Sequence, residues 1–336
     1  MKWLITGGCG FIGTNLIEFL SATGGESIRV IDNLSSGSRE ALSSVSDYTA
    51  CDFNREIAQP SMDDGVQLIV GDILDEKLAL RATRDVDIVV HLAANTGVGP
   101  SVENPRVDCL NNVLGTFNYL EAARKNGTKR FVFASSGAPI GECTPPIHEE
   151  LAPHPVSPYG ASKLAGEGYC SAYARAFGLS TVALRFGNVY GPRSSHKGSV
   201  VAKFIRMAMA GETLEIYGDG AQTRDFVYVG DLVRAIEKAG RRQNIGGEIF
   251  QIATSAETTV LELVDILVPT LSEMYDLVPN VVHGPRRVGD VMRNFSDTSK
   301  AKAKLDWEAQ ISLNEGLRRT VAWYIEQQHV VDDHTV

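Results

Sequence analysis

Lys2-Trp3-Leu4-Ile5-Thr6-Gly7-Gly8-Cys9-Gly10-Phe11-Ile12-Gly13 is the stretch on which the fold turns. Its first five residues form a short apolar run that stops at glycine, the pattern of a strand buried in a parallel sheet. Leu16, Ile17 and Leu20 then repeat at helical spacing. Glycines 8, 10 and 13 satisfy G-x-G-x-x-G, while 7, 10 and 13 satisfy G-x-x-G-x-x-G. Either spacing lets the backbone turn tightly and lets a pyrophosphate approach the free N–H groups at the helix start. A second strand, Ile28-Arg29-Val30-Ile31, ends at Asp32, about 20 residues beyond the glycines, where a carboxylate accepts hydrogen bonds from an adenosine ribose. These features predict an α/β protein with a Rossmann-type, doubly wound parallel sheet. The acid favours NAD over NADP, whose 2′-phosphate it would repel, although Arg39 stands close enough to soften that preference.

The chain as a whole sets limits. Its 336 residues suffice for two sub-domains with a sizeable core. Hydrophobic residues at 43% and charged residues at 22% are ordinary for a soluble globular protein. A net charge of −9 argues against general nucleic-acid binding and requires any anionic ligand to meet a local arginine cluster. The five cysteines form no C-x-x-C pair and are odd in number, as expected of free thiols in a reducing compartment. The histidines show no metal-ligand spacing, no apolar run is long enough to span a membrane, and the N-terminus has no signal-peptide pattern. A cytoplasmic protein without membrane or nucleic-acid partners is expected.

Further along, the polar stretch from about Ser46 to Gly65 is expected to be a surface insertion. Gln67 to Val70 is a strand ending in Gly71-Asp72-Ile73. Val86 to His91 is another, ending in Leu92-Ala93-Ala94, whose small residues leave room for a cofactor; His91 is expected to be a packed strand residue. Val102 to about Lys125 reads as one long helix with Leu110, Val113, Leu114, Phe117 and Leu120 on a stripe. The strand Arg130 to Ala134 stops at Ser135-Ser136, and ligands of open α/β sheets bind beyond such carboxyl ends. Tyr159 and Lys163 lie four apart and so share a helix face. A fixed ammonium nearby, and the positive ring of an oxidised nicotinamide, are both expected to favour the phenolate and lower the tyrosine pKa from its usual value of about 10. Val260 to Leu271 and Leu313 to Tyr324 read as closing helices, and the tail beyond them is expected to fray.

Several ordered motifs resemble the extended short-chain dehydrogenase/reductase family, and within it the nucleotide-sugar epimerases and dehydratases. They include Thr6 to Gly13, Asp32-Asn33, Gly71-Asp72, His91 to Ala94, Ser135-Ser136 and Tyr159-x-x-x-Lys163. Leu184 to Arg193, Gln222 to Val229 and Arg287-Val288-Gly289-Asp290 extend the resemblance to about residue 325. The resemblance implies a catalytic trio of Ser136, Tyr159 and Lys163. It implies that NAD is held by Gly7, Gly10, Phe11, Ile12, Gly13, Asp32, Asn33, Asp72, Ile73, Leu92, Ala93, Ala94 and Asn112, with Tyr159 and Lys163 on the nicotinamide ribose. Thr96, Ser136, Asn188, Arg224, Arg287, Asp290 and Asn294 would meet the substrate. Arginine suits a diphosphate because its planar fork binds phosphate oxygens in pairs. The implied division is interleaved: residues 1–185 with about 225–250 hold the cofactor, and about 186–224 with 251–336 hold the nucleotide sugar. Family members pair the helices matching 102–125 and 158–177, which implies a homodimer.

The reaction follows from what is missing. Family dehydratases carry an Asp-Glu pair directly after the catalytic Ser/Thr, and here those positions are Gly137 and Ala138, which move no protons. A UDP-sugar 4-epimerase needs neither acid, because its transient 4-keto sugar only turns over and takes the hydride back. One departure is Pro139-Ile140-Gly141, where the family usually has Val-Tyr-Gly. Asn294 matches the position beside C2 of the sugar, where a small residue goes with N-acetylated sugars and a bulky aromatic with unsubstituted ones. The loop Asn95 to Ser101 has no basic residue to meet a uronate carboxylate. UDP-N-acetylglucosamine and UDP-glucose, with their C4 epimers, are therefore the expected substrates. UDP-glucuronate 4-epimerase, a dehydratase or reductase of the same fold, and an NAD-sensing binding module are the alternatives.

Overall fold

A computed structural model describes residues 1–51, 61–62, 65–286 and 291–333. Eight parallel strands form one sheet in the order β12-β7-β6-β5-β1-β2-β4-β3. Going along the chain, these are β1 (Lys2–Thr6), β2 (Ser27–Asp32), β3 (Tyr48–Ala50), β4 (Gly65–Val70), β5 (Ile88–His91), β6 (Arg130–Ser136) and β7 (Thr181–Phe186). Short strands β8 (Asn188–Tyr190), β9 (Leu214–Tyr217), β10 (Thr223–Arg224) and β11 (Phe226–Tyr228) precede the edge strand β12 (Glu248–Ile252); β13 (Thr258–Thr259) and β14 (Val281–Gly284) follow it. The Rossmann-type sheet foreseen from the glycine turn is present. Trp3, Leu4 and Ile5 of β1 are completely buried, as a central strand covered on both faces requires.

Strand order reverses at β1, which has β2 on one side and β5 on the other. A crevice therefore opens at the carboxyl ends of these strands, where open α/β sheets bind ligands. Thr6, Asp32, His91 and Ser136 all lie at those ends. Beyond β7 the chain leaves the sheet: β8 pairs with β11, β9 with β14 and β10 with β13. The run Asp225 to Val229 thus joins β8 rather than the main sheet. The helix Val229–Arg241 then packs beside the helix Phe11–Thr23, and β12 closes the sheet against β7. Gln251 N donates to Glu149 Oε1 at 2.7 Å, which caps part of the outer edge of β12.

Three expectations change. Within the supposed insertion, Tyr48 to Ala50 pairs in parallel with β4, and Cys51 and Met62 are buried under it. The segment is an edge of the sheet; residues 52–60 and 63–64 lie outside the described residues. The long helix at 102–125 is instead a chain of pieces: Val98–Glu103, Pro105–Cys109, a wider π-type stretch Leu110–Gly115, and Thr116–Lys125. Pro105 starts a new segment, capped by the Asn104 side chain, and so breaks the turn before it. Only Leu120 of the supposed stripe is fully buried, whereas Leu110 and Leu114 face outward. The closing helices run further than expected, Val260–Tyr275 and Leu313–Asp333.

Candidate active site

The cofactor side of the crevice is built by the turn between β1 and the helix Phe11–Thr23. A Cβ on Gly13 would lie 2.4 Å from Gly7 O, so the turn closes only with glycine there. Gly10 differs, because a Cβ on it would meet nothing nearer than Gly7 O at 3.4 Å. Packing within the protein leaves that position open, and what a side chain would obstruct is an approaching ligand. The N-cap offers no side-chain acceptor, and the N–H groups of Phe11, Ile12 and Gly13 have no acceptor among the described residues. Open donors at a helix start fit a pyrophosphate.

Asp32, expected at the adenosine end, lies at the carboxyl end of β2. Its Oδ2 accepts from Cys9 N at 2.9 Å and its Oδ1 from Leu34 N at 2.8 Å, which fixes the carboxylate while leaving further lone pairs for a ribose. Burial raises its pKa, and the two backbone donors oppose that rise. Asn33 Nδ2 donates to Asp72 Oδ2 at 3.1 Å, so these two residues face each other across the strand ends. The Ile73 side chain is buried. Leu92, Ala93 and Ala94 are half-buried, with Ala93 N donating to Thr6 Oγ1 at 3.2 Å. Thr6 Oγ1 also bonds His91 Nδ1 at 2.9 Å. Burial holds His91 at a pKa of about 3, a neutral packing residue as the sequence implies.

Asn112 is held by the protein itself. Its Oδ1 accepts from Asn95 N at 2.8 Å, and its Nδ2 lies 2.9 Å from Asn95 O, 2.8 Å from Asp108 Oδ1 and 3.1 Å from Ser162 Oγ. Fully buried, it ties the loop after β5 to the helix that carries Tyr159 and Lys163. Thr96, on that same loop, is exposed.

The helix Pro158–Phe177 carries the expected catalytic pair, Tyr159 and Lys163. It begins with Ser157 Oγ accepting from Gly160 N at 3.1 Å and with proline in its first turn, and it ends at Gly178 in the left-handed conformation. Tyr159 is half-buried at the crevice, with its hydroxyl close enough to that of Ser136, at the end of β6, for Ser136 to lower its pKa. Lys163 Nζ donates to Ala134 O at 2.8 Å and lies 5.9 Å from the centre of the Tyr159 ring. The trio is therefore assembled. Of the two expected causes of a lower Tyr159 pKa, the ammonium does not supply it: burial dominates and raises the value, Asp108 adds to the rise, and only the Ser136 hydroxyl opposes it. Burial likewise pushes Lys163 down to about 8, and the nearby Lys197 ammonium contributes to that drop.

One turn past Lys163 stands Glu167, which the sequence reading missed. Its carboxylate accepts two bonds from Arg185 of β7, both at 2.8 Å, and one from Ser135 Oγ at 2.6 Å. Strand register places Ser135 beside Arg185, so both reach the same carboxylate. This buried pair pins the catalytic helix to two strands at once. No local spacing signals it, because its partners lie in separate elements.

The substrate side has its own cavity, about 340 Å³, whose lining includes Asn188, Ser199, Lys203, Glu215, Tyr217 and Arg224. Two of the expected diphosphate contacts, Asn188 and Arg224, thus share one wall. Arg224 Nη1 also donates to Thr223 O and Val291 O, each at 2.7 Å. Asn294 is half-buried on the same segment as Val291, held through its backbone N–H to Thr223 Oγ1 at 3.2 Å. Arg287 and Asp290 lie outside the described residues. Ile140, standing where the resemblance expects tyrosine, is fully buried and serves packing.

A model of the NAD dependent epimerase/dehydratase family matches residues 3–253. The UDP-glucose 4-epimerase of Mycolicibacterium smegmatis is 35% identical over 334 residues, covering 96% of this chain and 98% of that protein. Among solved structures, the UDP-glucose 4-epimerase of Thermotoga maritima with UDP-glucose superposes with a TM-score of 0.85 at 37% identity, covering 98% of this chain and 100% of that one. A UDP-N-acetylglucosamine 4-epimerase from Methanobrevibacter ruminantium, in complex with UDP-N-acetylmuramic acid, gives 0.84 at 30% identity, covering 97% and 98%. The family match begins within β1 and stops one residue after β12, so it takes in the whole sheet and the crevice built upon it; this chain belongs to the NAD-dependent epimerase/dehydratase family, as an enzyme of nucleotide sugars.

Proposed function

We propose that the protein is a UDP-sugar 4-epimerase that acts on UDP-N-acetylglucosamine and UDP-glucose. The observation that carries this reading is an intact Ser136–Tyr159–Lys163 trio followed by Gly137 and Ala138, so that proton transfer at one hydroxyl is provided for and elimination of water is not. Residues 1–185 with about 225–250 form the cofactor half, and about 186–224 with 251–336 form the substrate half.

When bound, NAD accepts a hydride from the sugar carbon and later returns it. The first helical turn, from Phe11 to Gly13, would hold its pyrophosphate, and Asp32 its adenosine ribose. Tyr159 takes the proton of the C4 hydroxyl and gives it back, with Ser136 donating to the phenolic oxygen while it is charged. Because burial raises the pKa of Tyr159, the phenol needs a positive charge close by to ionise, and Lys163 at the same crevice is the protein's contribution. Asn188 and Arg224 grip the nucleotide diphosphate and leave the sugar free to present either face.

The choice of sugar rests on Asn294, a small amide able to hydrogen-bond an acetamido group. NMR of reactions with UDP-glucose, UDP-N-acetylglucosamine and UDP-glucuronate should show inversion at C4 for the first two, without added nicotinamide. Asn294→Tyr should lower kcat/KM for the acetylated sugar selectively; equal losses for both sugars would remove Asn294 as the gate. Stoichiometric consumption of external NAD would overturn the epimerase reading itself.

We also infer a homodimer. Leu114 is 43% exposed and Phe177 55% exposed, and Val107, Leu110 and Tyr169 are exposed beside them on the two helical segments that family members pair. A ladder of edge-on rings, Phe117–Tyr169–Tyr173–Phe177, continues that face.

A further inference from the structure

We propose that Lys197 is a phosphate-binding residue, an ammonium delivered to the junction of the two ligand halves to hold a diphosphate there. This rests on the nucleotide-sugar reading above.

The loop that carries Lys197 is fastened to both halves. Toward the cofactor half, Asn15 Nδ2 donates to Pro192 O at 3.1 Å, and Arg193 binds Glu18 through Nη2 at 2.7 Å, both partners lying on the helix Phe11–Thr23. Toward the substrate half, Arg206 Nη1 donates to Ser195 O at 2.7 Å and to Lys197 O at 2.8 Å from the helix Val200–Met209. Lys197 N closes a turn onto Ser194 O at 2.9 Å, and Ser194 Oγ onto Gly191 O at 2.6 Å. The backbone around Lys197 is therefore fixed at several points within seven residues of Gly191, which is unusual support for a solvent-facing lysine.

Its side chain is half-buried. The ammonium lies 6.0 Å from the centre of the Phe11 ring, at the first residue of the helix whose N–H groups are open. On its other side it is near enough to Lys163 to act on it electrostatically. The next residues along the chain, Gly198 and Ser199, belong to the wall of the cavity that Asn188 and Arg224 line. Lys197 thus stands between the glycine turn, the catalytic helix and the nucleotide cavity, where a nucleotide sugar must pass its diphosphate to put the sugar at Tyr159.

A cation so placed should be paired, yet Lys197 has no carboxylate partner and its ammonium no hydrogen-bond acceptor among the described residues. Burial pushes its pKa down, and its charge in turn disfavours the charge on Lys163. Lys163, fully buried, has the carboxylates of Asp108 and Glu167 to offset its charge whereas Lys197 has none, and the repulsion between the two ammonium groups is relieved when an anion comes between them. A diphosphate supplies that anion and relieves both. Two sources have this chemistry, the diphosphate of the nucleotide sugar and the pyrophosphate of NAD, and the experiment separates them.

Purified NAD-loaded wild-type protein, Lys197→Met, Lys197→Arg and the exposed neighbour variant His196→Ala are titrated with UDP by calorimetry. The NAD retained per chain is measured after denaturation. Loss of one charge-assisted phosphate contact corresponds to a weakening of roughly 10- to 100-fold. If UDP binding weakens by that factor in Lys197→Met with NAD content unchanged, the substrate diphosphate is the ligand; if NAD content falls with UDP affinity unchanged, the cofactor's pyrophosphate is. Lys197→Arg should keep most of the affinity, and His196→Ala all of it. Wild-type affinity and wild-type NAD content in Lys197→Met overturn the proposal, whether or not the melting temperature falls. A selective loss of UDP-glucuronate turnover with both bindings intact also overturns it, by showing that the ammonium meets a carboxylate. A wild-type protein that keeps NAD but binds no UDP sinks the nucleotide-sugar reading, and Lys197 is then judged on NAD retention alone.

Discussion

Replacing Glu167 with glutamine should unlock the catalytic helix. The carboxylate and Arg185 have side-chain exposures of 2% and 3%, and they share two bonds at 2.8 Å. Arg185 Nη1 already has no hydrogen-bond partner, so the guanidinium depends on this one carboxylate for its counter-charge. Removing one member of a buried pair leaves the other charged and uncompensated, at a cost of about 3–5 kcal/mol. Replacing both by apolar groups of similar volume is commonly close to neutral. Urea unfolding of the NAD-loaded protein should therefore show a markedly lower midpoint for Glu167→Gln and a substantial recovery in Glu167→Met/Arg185→Met. Because Lys163 lies one turn away on the same helix, kcat should fall in the single variant more than KM rises. A wild-type unfolding midpoint in Glu167→Gln, or a double variant no more stable than the single one, would refute the claim that this pair anchors the helix.

Tyr159→Phe should reduce turnover by roughly 10²–10⁴-fold while bound NAD and folding stay unchanged, and Ser136→Ala should cost less; near-normal rates for Tyr159→Phe would place the base elsewhere. Lys163, pushed down to about 8, is charged below that pH and neutral above it. If its charge assists Tyr159, kcat/KM should decline as pH rises through about 8, and a profile flat to pH 9.5 would exclude that role. The linked stability effect has the opposite sign: between about 8 and the ordinary lysine value of 10.5 the unfolded chain binds more protons, so the Lys163 contribution to stability grows as pH rises through that window. Leu114→Glu should shift sedimentation from dimer to monomer, and a wild-type monomer at micromolar concentration would reject the pairing.

Much of the fold was legible because the central strands are short apolar runs that end at residues of distinct chemistry, as Ile31 does at Asp32 and Ala134 at Ser135-Ser136. The glycine turn was legible for the same reason, since its spacing serves both the turn and the ligand. Strand β3 was hidden because Tyr48-Thr49-Ala50 is a half-exposed edge, where neither face imposes an apolar pattern. Pro105 marked the break in the long helix, but the apolar periodicity around it masked the signal. In the site, Tyr159 and Lys163 were readable from their spacing, while Lys197 and Glu167 were not. Their surroundings come from residues far apart in sequence, and charge on a single side chain reveals nothing of what it faces. The Lys163 ammonium leaves the Tyr159 pKa raised for a related reason, because burial is a property of the assembled crevice.

The edge pairing of β12 with β7 bears on how the protein is made. As the chain emerges from the ribosome, β7 is complete at Phe186, yet its partner ends only at Ile252, after β8 to β11 have been synthesised. Throughout that interval Val182, Ala183 and Leu184, all buried in the finished protein, belong to a strand with one bare side. Such an edge is a template for pairing with another chain, and long-range parallel pairing is slow to form. A fragment ending before residue 248 keeps the glycine turn and the catalytic trio but carries that open edge permanently. Shortened versions meant to isolate the cofactor half should therefore retain β12, whose outer edge the Glu149 carboxylate partly covers.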